Sequence, residues 1–331
     1  MKRSFVIPVL DYSPKSSYNI KTLLNDLENI EGTVIVIFNS KDVAEELKDH
    51  PRIDYYSIMS HNLGVARAWN IGIDMSQTPV TFVLNADLHI TKESVEELED
   101  ALIRLPDAAW VGPQGSFNNF FTLDDHLYFD KGEFADPIEI DAISGFYFAI
   151  KTSHFHNGIL KFENNFTPCY YEEWDFGFQI KEKHLRAYIV PVTGYDHQFG
   201  GSILSMKKIK FMESELTLDE IHKKNSSYFH KKWYSYHLEF AKQNIHEFLL
   251  SKIVIKQLSD FIFNKDVEDD LREKNFQLII EQYKGSQWPF LILGNFSLAR
   301  NYPDAAKRFL SEALKENPEF EEAKEVLKTL E

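Results

Sequence analysis

A strand that ends on a carboxylate is the feature of this sequence with the plainest chemical meaning. Residues Val80 to Leu88 read VTFVLNADL, an apolar run that ends at Asp87. Open α/β sheets place ligands and metals at the carboxyl ends of their strands, so Asp87 is a candidate ligand. An aspartate after a strand is also a common turn or cap residue. Taken alone, the pattern favours that structural role.

The elements that would position Asp87 follow a regular order. Up to about residue 200, short apolar runs alternate with segments of helical period, which is typical of βα units and a mostly parallel sheet. Predicted strands begin at Ser4, Thr33, Ile53, Val80, Ala108, Phe146 and Ala187. Predicted helices cover Ile20 to Asn29, Asp42 to Lys48, Val65 to Met75, Lys92 to Arg104 and Glu172 to Lys183. Gly115 to Asp141 shows no period, which predicts a long irregular loop of the kind that is often functional.

Composition limits the class of protein. The 331 residues are 44% hydrophobic and 26% charged, which indicates a folded chain. The formal net charge of −15 disfavours nucleic acid as a partner. Cys169 is the single cysteine, and the apolar run before Asp11 is too short for a signal peptide. Since no segment reaches the ~20 apolar residues that span a bilayer, we expect a soluble cytoplasmic protein without a transmembrane segment.

The last part of the chain has a different pattern. After about residue 240 the sequence predicts helices alone, with Ile245, Phe248, Leu249 and Ile253 at helical spacing. Gly294, Ala306, Ala313 and Pro318 then fall at the small-residue and proline positions of a tetratricopeptide repeat, which the segment from Gln287 to Phe320 resembles. One such unit cannot bury its own apolar face. We therefore expect it either to cap the fold or to mediate a homo-oligomer or another protein contact.

Four segments of the first 240 residues, taken together, resemble the family 2 glycosyltransferases of the GT-A fold. They are NLGVARAWNIG, VLNAD, DAISGFYFAIK, and YYEEWDFGFQI followed by GYDHQFGGS. The resemblance spans about residues 4 to 235. It implies a GT-A domain over residues 1–240, followed by a helical region over 241–331. It also implies transfer of a hexosyl or deoxyhexosyl group from a nucleoside-diphosphate sugar to an acceptor hydroxyl, with inversion.

The resemblance also implies a divalent metal, Mn²⁺ or Mg²⁺, because charge builds on the leaving phosphate. The acid-x-acid motif of the family is here Asn85, Ala86, Asp87, so Asp87 would bind the metal and Asn85 a ribose or phosphate. His197 matches a histidine that can complete the metal or diphosphate site, and imidazole suits Mn²⁺ better than Mg²⁺. It is equally an ordinary loop residue. Gly200 and Gly201 would let the backbone approach a phosphate.

A run of acids matches the segment in which the family carries its general base. Glu172, Glu173, Trp174 and Asp175 correspond to that segment, and the second acid maps to Glu173. The longer glutamate arm leaves the base open between Glu172, Glu173 and Asp175. A structural alternative is that these acids only occupy a helix N-terminus, where the macrodipole favours them.

Donor contacts are implied by the remaining matches. Asn62 and Gly64 resemble the turn before a helix, and Arg67 would pair with the base or diphosphate of the donor. Further implied donor contacts are Pro8, Asn39 and Gly145. The sequence departs from the family at Phe38, Asn39, Ser40, where an aspartate usually reads the base, and at Gln179, which replaces an arginine.

Two rival functions stay open. A sugar nucleotidyltransferase would need a glycine-rich basic loop after the first strand, and VIPVLDYSPKSS has no glycine. A non-catalytic scaffold would combine the tetratricopeptide-like tail with a decayed domain. Asp87, Glu173 and His197 argue against decay. The acceptor is left open among a glycan, a glycoconjugate and a protein.

Overall fold

The protein is described here from a computed structural model, which covers residues 3–118, 125–198, 208–233, 287–299 and 301–330. The described residues form two compact units, one ending at residue 232 and the other comprising the C-terminal part of the chain from residue 233. The predicted boundary between residues 240 and 241 lies outside the described ranges, as do Gly200, Gly201 and the predicted helix around Ile245 to Ile253. These stay predictions.

The first unit alternates strands and helices. Its strands are β1 (Arg3–Val9), β2 (Thr33–Phe38), β3 (Tyr55–Ile58), β4 (Val80–Leu84), β5 (Leu88–Ile90), β6 (Ala108–Gly112), β7 (Gly115–Asn118), β8 (Asp125–Phe129), β9 (Ile138–Ile140), β10 (Ala142–Ile143), β11 (Tyr147–Lys151), β12 (Arg186–Ile189), β13 (Tyr195–His197), β14 (Ile209–Phe211) and β15 (Ser214–Leu216). Its helices are α1 (Ile20–Asp26), α2 (Lys41–Leu47), α3 (Val65–Met75), α4 (Lys92–Arg104), α5 (Thr152–His156), α6 (Glu172–Glu182) and α7 (residues 218–233).

The central sheet has eight strands in the order β3-β2-β1-β4-β11-β6-β12-β9. The parallel pairs are β1 with β2, β1 with β4, β2 with β3, and β6 with β12. β11 runs antiparallel to β4 and β6, and β9 runs antiparallel to β12. The prediction of a mostly parallel sheet is therefore confirmed. Strand order reverses between β1 and β4, and such a switch point opens a crevice at the carboxyl ends of the two strands.

Successive side chains of a strand point to opposite faces of the sheet, and in β1 both faces are covered. Phe5 and Ile7 of β1 belong to the apolar core that includes residues of α1, α2 and α4. Val6 faces the other side, where a Cβ at Gly72 of α3 would collide with it. On that side Trp69 packs edge-on against Phe148 at 5.3 Å between ring centroids. A strand buried on both faces reads as a continuous apolar run, as β1 does.

The segment from Gly115 to Asp141 is not the irregular loop that the sequence predicts. β7 pairs antiparallel with β8 and β10, and β9 closes one edge of the central sheet. Phe117 and Phe129 pack edge-to-face at 5.6 Å. Polar residues are also buried here, and the Asn118 N–H donates to Asp141 Oδ2 at 2.9 Å. These buried polar positions obscure the period-2 pattern that would have indicated strands.

The C-terminal unit contains α8 (Trp288–Ala299), α9 (Pro303–Glu316) and α10 (Glu321–Lys328). A Cβ at Gly294 would lie 2.7 Å from Leu310 Cγ, so α8 and α9 approach closely at this glycine. Ala306 and Ala313 are fully buried. The tetratricopeptide repeat itself stays a prediction. Within the described ranges, no helix is both long and apolar enough to cross a bilayer.

Candidate functional site

A cavity of about 170 Å³ opens at the carboxyl ends of β1, β2 and β4. We call it the first cavity. Its lining includes the predicted residues Pro8, Asn39, Asn62, Gly64, Asn85, Asp87 and His197. The ends of parallel strands meet at one edge of a sheet, which is why residues so far apart in sequence converge here.

The wall of the first cavity beside α3 depends on a glycine. Gly64 has φ +87° and caps the N-terminus of α3. Its N–H donates to Asn62 Oδ1 at 2.9 Å, and a Cβ at Gly64 would lie 2.7 Å from the Pro168 carbonyl oxygen. The next N–H, of Val65, donates to that same carbonyl at 2.7 Å. Both the backbone angle and the contact therefore require glycine at this position.

Asp87 and His197 lie next to each other in the lining of the first cavity. The antiparallel pairing of β5 with β13 sets His197 opposite Leu88, and Asp87 Oδ1 lies 3.4 Å from His197 Nε2. The His197 ring stacks on Phe146 at 4.3 Å, with 6° between the two planes. The Asn85 N–H donates to the carbonyl of that phenylalanine at 2.8 Å. One phenylalanine thus positions both the histidine and the end of β4.

The donor atoms at this place fit a hard divalent cation. Side chains of Asp87 and His197 are 15% and 7% exposed, and Asn85 and Asp11 line the same cavity. The described part of the chain has no group of three or more His, Cys, Asp or Glu residues arranged to hold a metal. A site of one carboxylate and one imidazole suits Mg²⁺ or Mn²⁺ that keeps water and takes phosphate oxygens as further ligands.

A second cavity of about 520 Å³ adjoins the first. Both cavities are lined by Val65, Asn85, Cys169 and His197. The second also contains the predicted residues Gly145, Glu172 and Glu173. Asn85 and His197 therefore belong to a wall that the two cavities share. Asp87 lines the first cavity, and Glu172 and Glu173 of α6 line the second.

The two neighbouring glutamates of α6 differ in environment. Glu172 is 3% exposed and Glu173 is half-buried. Burial raises the pKa of Glu172 well above its usual range, and the charge of Glu173 raises it further, while backbone N–H groups oppose the shift. Burial and the charge of Glu173 both favour the neutral form of Glu172, so Glu173 is the better candidate to accept a proton.

Space for Glu173 depends on Gly145. A Cβ at Gly145 would overlap Glu173 Oε1 and would lie 2.7 Å from Trp69 Cη2. Trp69 is 1% exposed and packs against Phe148 and Phe162, so it cannot move aside easily. The glutamate side chain is the part that would have to shift.

We therefore expect Gly145→Ala to displace Glu173, lowering turnover and costing about 1–3 kcal/mol of stability through overpacking. Gly132→Ala is the control, since Gly132 has φ +84° but nothing within 4 Å of a Cβ. That variant should lose stability without losing turnover. Urea unfolding and the rate of turnover measure the two effects. Full turnover in a folded Gly145→Ala would show that Glu173 does not need this space.

Asp175 has a structural partner instead of a place in either cavity. It is fully buried, and Lys232 Nζ of α7 lies 2.6 Å from its Oδ1. Gln179 Nε2 donates to Asp175 Oδ2 at 2.7 Å and to the Lys161 carbonyl at 2.9 Å. Lys232 therefore places a positive charge beside Asp175, and Gln179 supplies a neutral hydrogen bond to it.

Lys232→Met should lower the free energy of unfolding by about 2 kcal/mol, because it leaves a buried carboxylate without its counter-charge. The estimate stays below the ~3–5 kcal/mol of a fully buried pair, since the Lys232 side chain is 27% exposed. Lys231→Met removes the charge of an exposed neighbour and should change stability little. Adding Asp175→Asn to Lys232→Met should restore part of the loss in urea titrations. Equal stability of both lysine variants would contradict the pairing.

Arg67 contacts other parts of the chain in the structure, and several residues that line the cavities were not predicted from the sequence. Arg67 Nε donates to the Asn164 carbonyl at 3.1 Å, and its guanidinium lies 5.9 Å from the Phe211 ring. Arg67 is not among the described residues that line either cavity. The contact of Arg67 with the donor therefore stays a prediction. Sequence analysis missed lining residues that include Asp11, Tyr128, Tyr170, Tyr171 and His222. Of these, only Asp11 carries a recognisable signal, a carboxylate shortly after a strand.

The loop before α6 holds a strained backbone beside the second cavity. Tyr170 and Tyr171 have φ angles of +74° and +77°. Asn225 Nδ2 of α7 donates to the carbonyls of Cys169 and Tyr170 at 2.8 and 3.1 Å. Such conformations persist where surrounding contacts over-determine them, and they cluster at functional sites.

Part of the sequence is similar to a known protein family. Residues 4–158, slightly less than half of the chain, match the sequence model of the family described as Glycosyl transferase family 2. No curated protein matches the sequence.

Solved structures resemble the chain at low sequence identity. GalNAc-T7 with UDP, GalNAc and Mn²⁺ aligns with a TM-score of 0.50 at 11% identity, covering 91% of this chain and 58% of that one. S. aureus TarS 1–349 in complex with UDP-GlcNAc aligns with a TM-score of 0.47 at 12% identity, covering 94% and 83%. The chain thus has the GT-A glycosyltransferase fold that the sequence predicted, with a helical C-terminal region.

Proposed function

We propose that the protein is an inverting glycosyltransferase that moves a hexosyl or deoxyhexosyl group from a nucleoside-diphosphate sugar to an acceptor hydroxyl. The observation that supports this best is the pair of adjoining cavities. The first has Asp87, Asn85 and His197 at the strand ends, and the second has Glu173. A donor sugar at the shared wall would have its leaving diphosphate on one side and a base on the other, as inversion requires. The family match over residues 4–158 supports the same chemistry.

In the proposed mechanism Glu173 accepts the proton of the acceptor hydroxyl as its oxygen bonds to the anomeric carbon. The bond from that carbon to the diphosphate oxygen breaks on the opposite face, and the electron pair leaves with the nucleoside diphosphate. Asp87 and His197 would hold a divalent cation, which would neutralise charge on the leaving phosphate. Gly64 and the Val65 N–H shape the wall beside the donor.

A thermal-shift panel of UDP-, GDP-, dTDP- and CMP-sugars, with and without Mn²⁺, tests the proposal. Ligands that bind the native state raise the melting temperature by mass action, so we expect one nucleotide to stabilise the protein, more strongly with Mn²⁺. Hydrolysis of that donor sugar should then be detectable. If no nucleotide shifts the melting temperature, the alternative of a non-catalytic scaffold gains support.

A further inference from the structure

The first turn of α6, which carries Glu173, begins at an unusual residue. Tyr171 is the N-cap of α6, and within the described part of the chain its side chain makes no capping hydrogen bond. N-cap residues ordinarily combine an extended backbone with a short polar side chain. Tyr171 has φ +77° and ψ −8°, and Tyr170 before it has φ +74°. Because a left-handed backbone is unfavourable for tyrosine, contacts from elsewhere in the chain must fix where α6 begins.

One face of α7 supplies such contacts. Asn225, Phe229 and Lys232 are spaced at i, i+4 and i+7, so their side chains lie on the same side of the helix. Phe229 is fully buried, and its ring centroid lies 5.5 Å from that of Tyr171. Lys232 Nζ lies 2.6 Å from Asp175 Oδ1. This face of α7 therefore lies along the loop before α6 and along the first turn of that helix.

Asn225 contacts the left-handed loop directly. It is fully buried, and its Nδ2 donates to the carbonyls of Cys169 and Tyr170 at 2.8 and 3.1 Å. A side-chain amide has two N–H donors, which is the number that these two carbonyls require. The two peptide groups that flank Tyr170 are therefore both bonded to one side chain.

The loop that Asn225 holds leads straight to Glu173. Tyr170, Tyr171 and Glu173 all line the second cavity. Glu173 is the second residue after the left-handed N-cap, and its carboxylate lies close to Gly145. If the loop relaxed towards ordinary backbone angles, the first turn of α6 would change direction and the carboxylate would move. A misplacement of about 1 Å can cost ~10²-fold in rate.

We propose that Asn225 is a positioning residue for Glu173, whose place in the second cavity it sets by holding Tyr170 and Tyr171 in the left-handed conformation from which α6 begins. This inference rests on the proposed function, because that function gives Glu173 the role of base. It concerns a part of the chain outside the family match, since α7 lies beyond residues 4–158. Turnover should therefore depend on a side chain that is not among the described lining residues of either cavity.

Asn225→Leu tests the proposal in the full-length protein, because leucine has a similar size but no N–H donor. The reaction measured is hydrolysis of the nucleotide sugar that gives the largest thermal shift. We expect kcat to fall by roughly 10- to 100-fold, while the Kd of the nucleotide changes by less than about threefold. If Asn225→Leu does not fold, Asn225→Asp, which keeps the shape of the side chain, takes its place. Loss of the fold in both variants, or full turnover in a folded one, would contradict the proposal.

Arg52→Met is the matched control for a loss of stability. The Arg52 guanidinium donates to the carbonyls of Leu27, Ile30 and Gly32 at 2.9 to 3.1 Å, before β2 begins and away from the strand ends that form the first cavity. Its removal also leaves backbone carbonyls unpaired, so urea unfolding should show a comparable loss of stability. Turnover should stay unchanged. An equal fall of kcat in Arg52→Met would mean that stability alone explains the effect of Asn225→Leu.

A double variant shows whether Asn225 acts through Glu173. Positioning of the base matters only while the base is present, so adding Asn225→Leu to Glu173→Gln should lower kcat by less than about threefold further. A merely structural role would give losses that multiply. Multiplying losses would therefore overturn the proposal.

Hydrogen exchange tests the contact without any turnover. In Asn225→Leu the amides of residues 169–176 should exchange at least ~10-fold faster, whereas those of α3 should not change. Unchanged exchange at residues 169–176 would overturn the inference whatever the activity of the protein. A thermal-shift panel without any response would count against the proposed function alone, so the two failures can be told apart.

Discussion

Glu173→Gln should lower kcat by ~10²–10⁴ while leaving donor affinity nearly unchanged, because a general base acts on the acceptor proton and not on donor binding. Glutamine keeps the shape and hydrogen-bonding reach of the side chain but cannot accept the proton. Glu173 is half-buried and lines the second cavity, so an amide fits without a new buried charge. Single-turnover transfer and nucleotide titration measure the two quantities separately.

Two matched variants test the assignment within the acidic run. Glu172→Gln should cost less turnover, because burial and the charge of Glu173 already favour the neutral form of Glu172. Asp175→Asn should act mainly on stability, since Asp175 pairs with Lys232 and Gln179. If either variant is inactive while Glu173→Gln retains turnover, the base must be reassigned.

The parts of the fold that local sequence signals determine could be predicted well. α3 and α4 begin and end at the predicted residues. Gly64 precedes α3, and the hydroxyl of Thr91 caps α4 by accepting from the Ser94 N–H at 3.3 Å. Caps and helical period are written within a few residues of each other, so no knowledge of distant partners is needed.

The parts of the fold that depend on distant partners could not be predicted from the sequence. β7 becomes a strand because β8 and β10 pair with it, and its polar Asn118 is buried where Asp141 can bond to its backbone. Pairing of this kind leaves no local period in the sequence.

The same division holds for the site. Residues after strands, such as Asn39 and Asp87, could be predicted to converge, since the sheet edge brings them together. The positions of Tyr170 and Tyr171 could not be predicted. Their backbone is left-handed, and the carbonyls of Cys169 and Tyr170 accept hydrogen bonds from Asn225, which lies in a helix much later in the chain.

Asp87→Ala should lower metal-dependent nucleotide affinity by at least ~100-fold, given that even the outer partners of metal ligands change affinity by 10–100-fold. The fold should survive, because Asp87 lies at a strand end with its side chain in the first cavity and does not belong to the apolar core. Calorimetric titration of the preferred nucleotide with Mn²⁺ measures the loss, and urea unfolding should show a change below ~1 kcal/mol.

A control separates ligation from charge in this experiment. Asp74→Ala removes an exposed carboxylate of α3 and should leave nucleotide affinity unchanged. Asp87→Asn keeps the shape of the side chain but lowers its value as a ligand for a hard cation, so it should resemble Asp87→Ala in Mn²⁺ and differ little from the unmodified protein without metal. If a folded Asp87→Ala binds nucleotide and Mn²⁺ as tightly as the unmodified protein, Asp87 is only the turn residue that its position after a strand also allows.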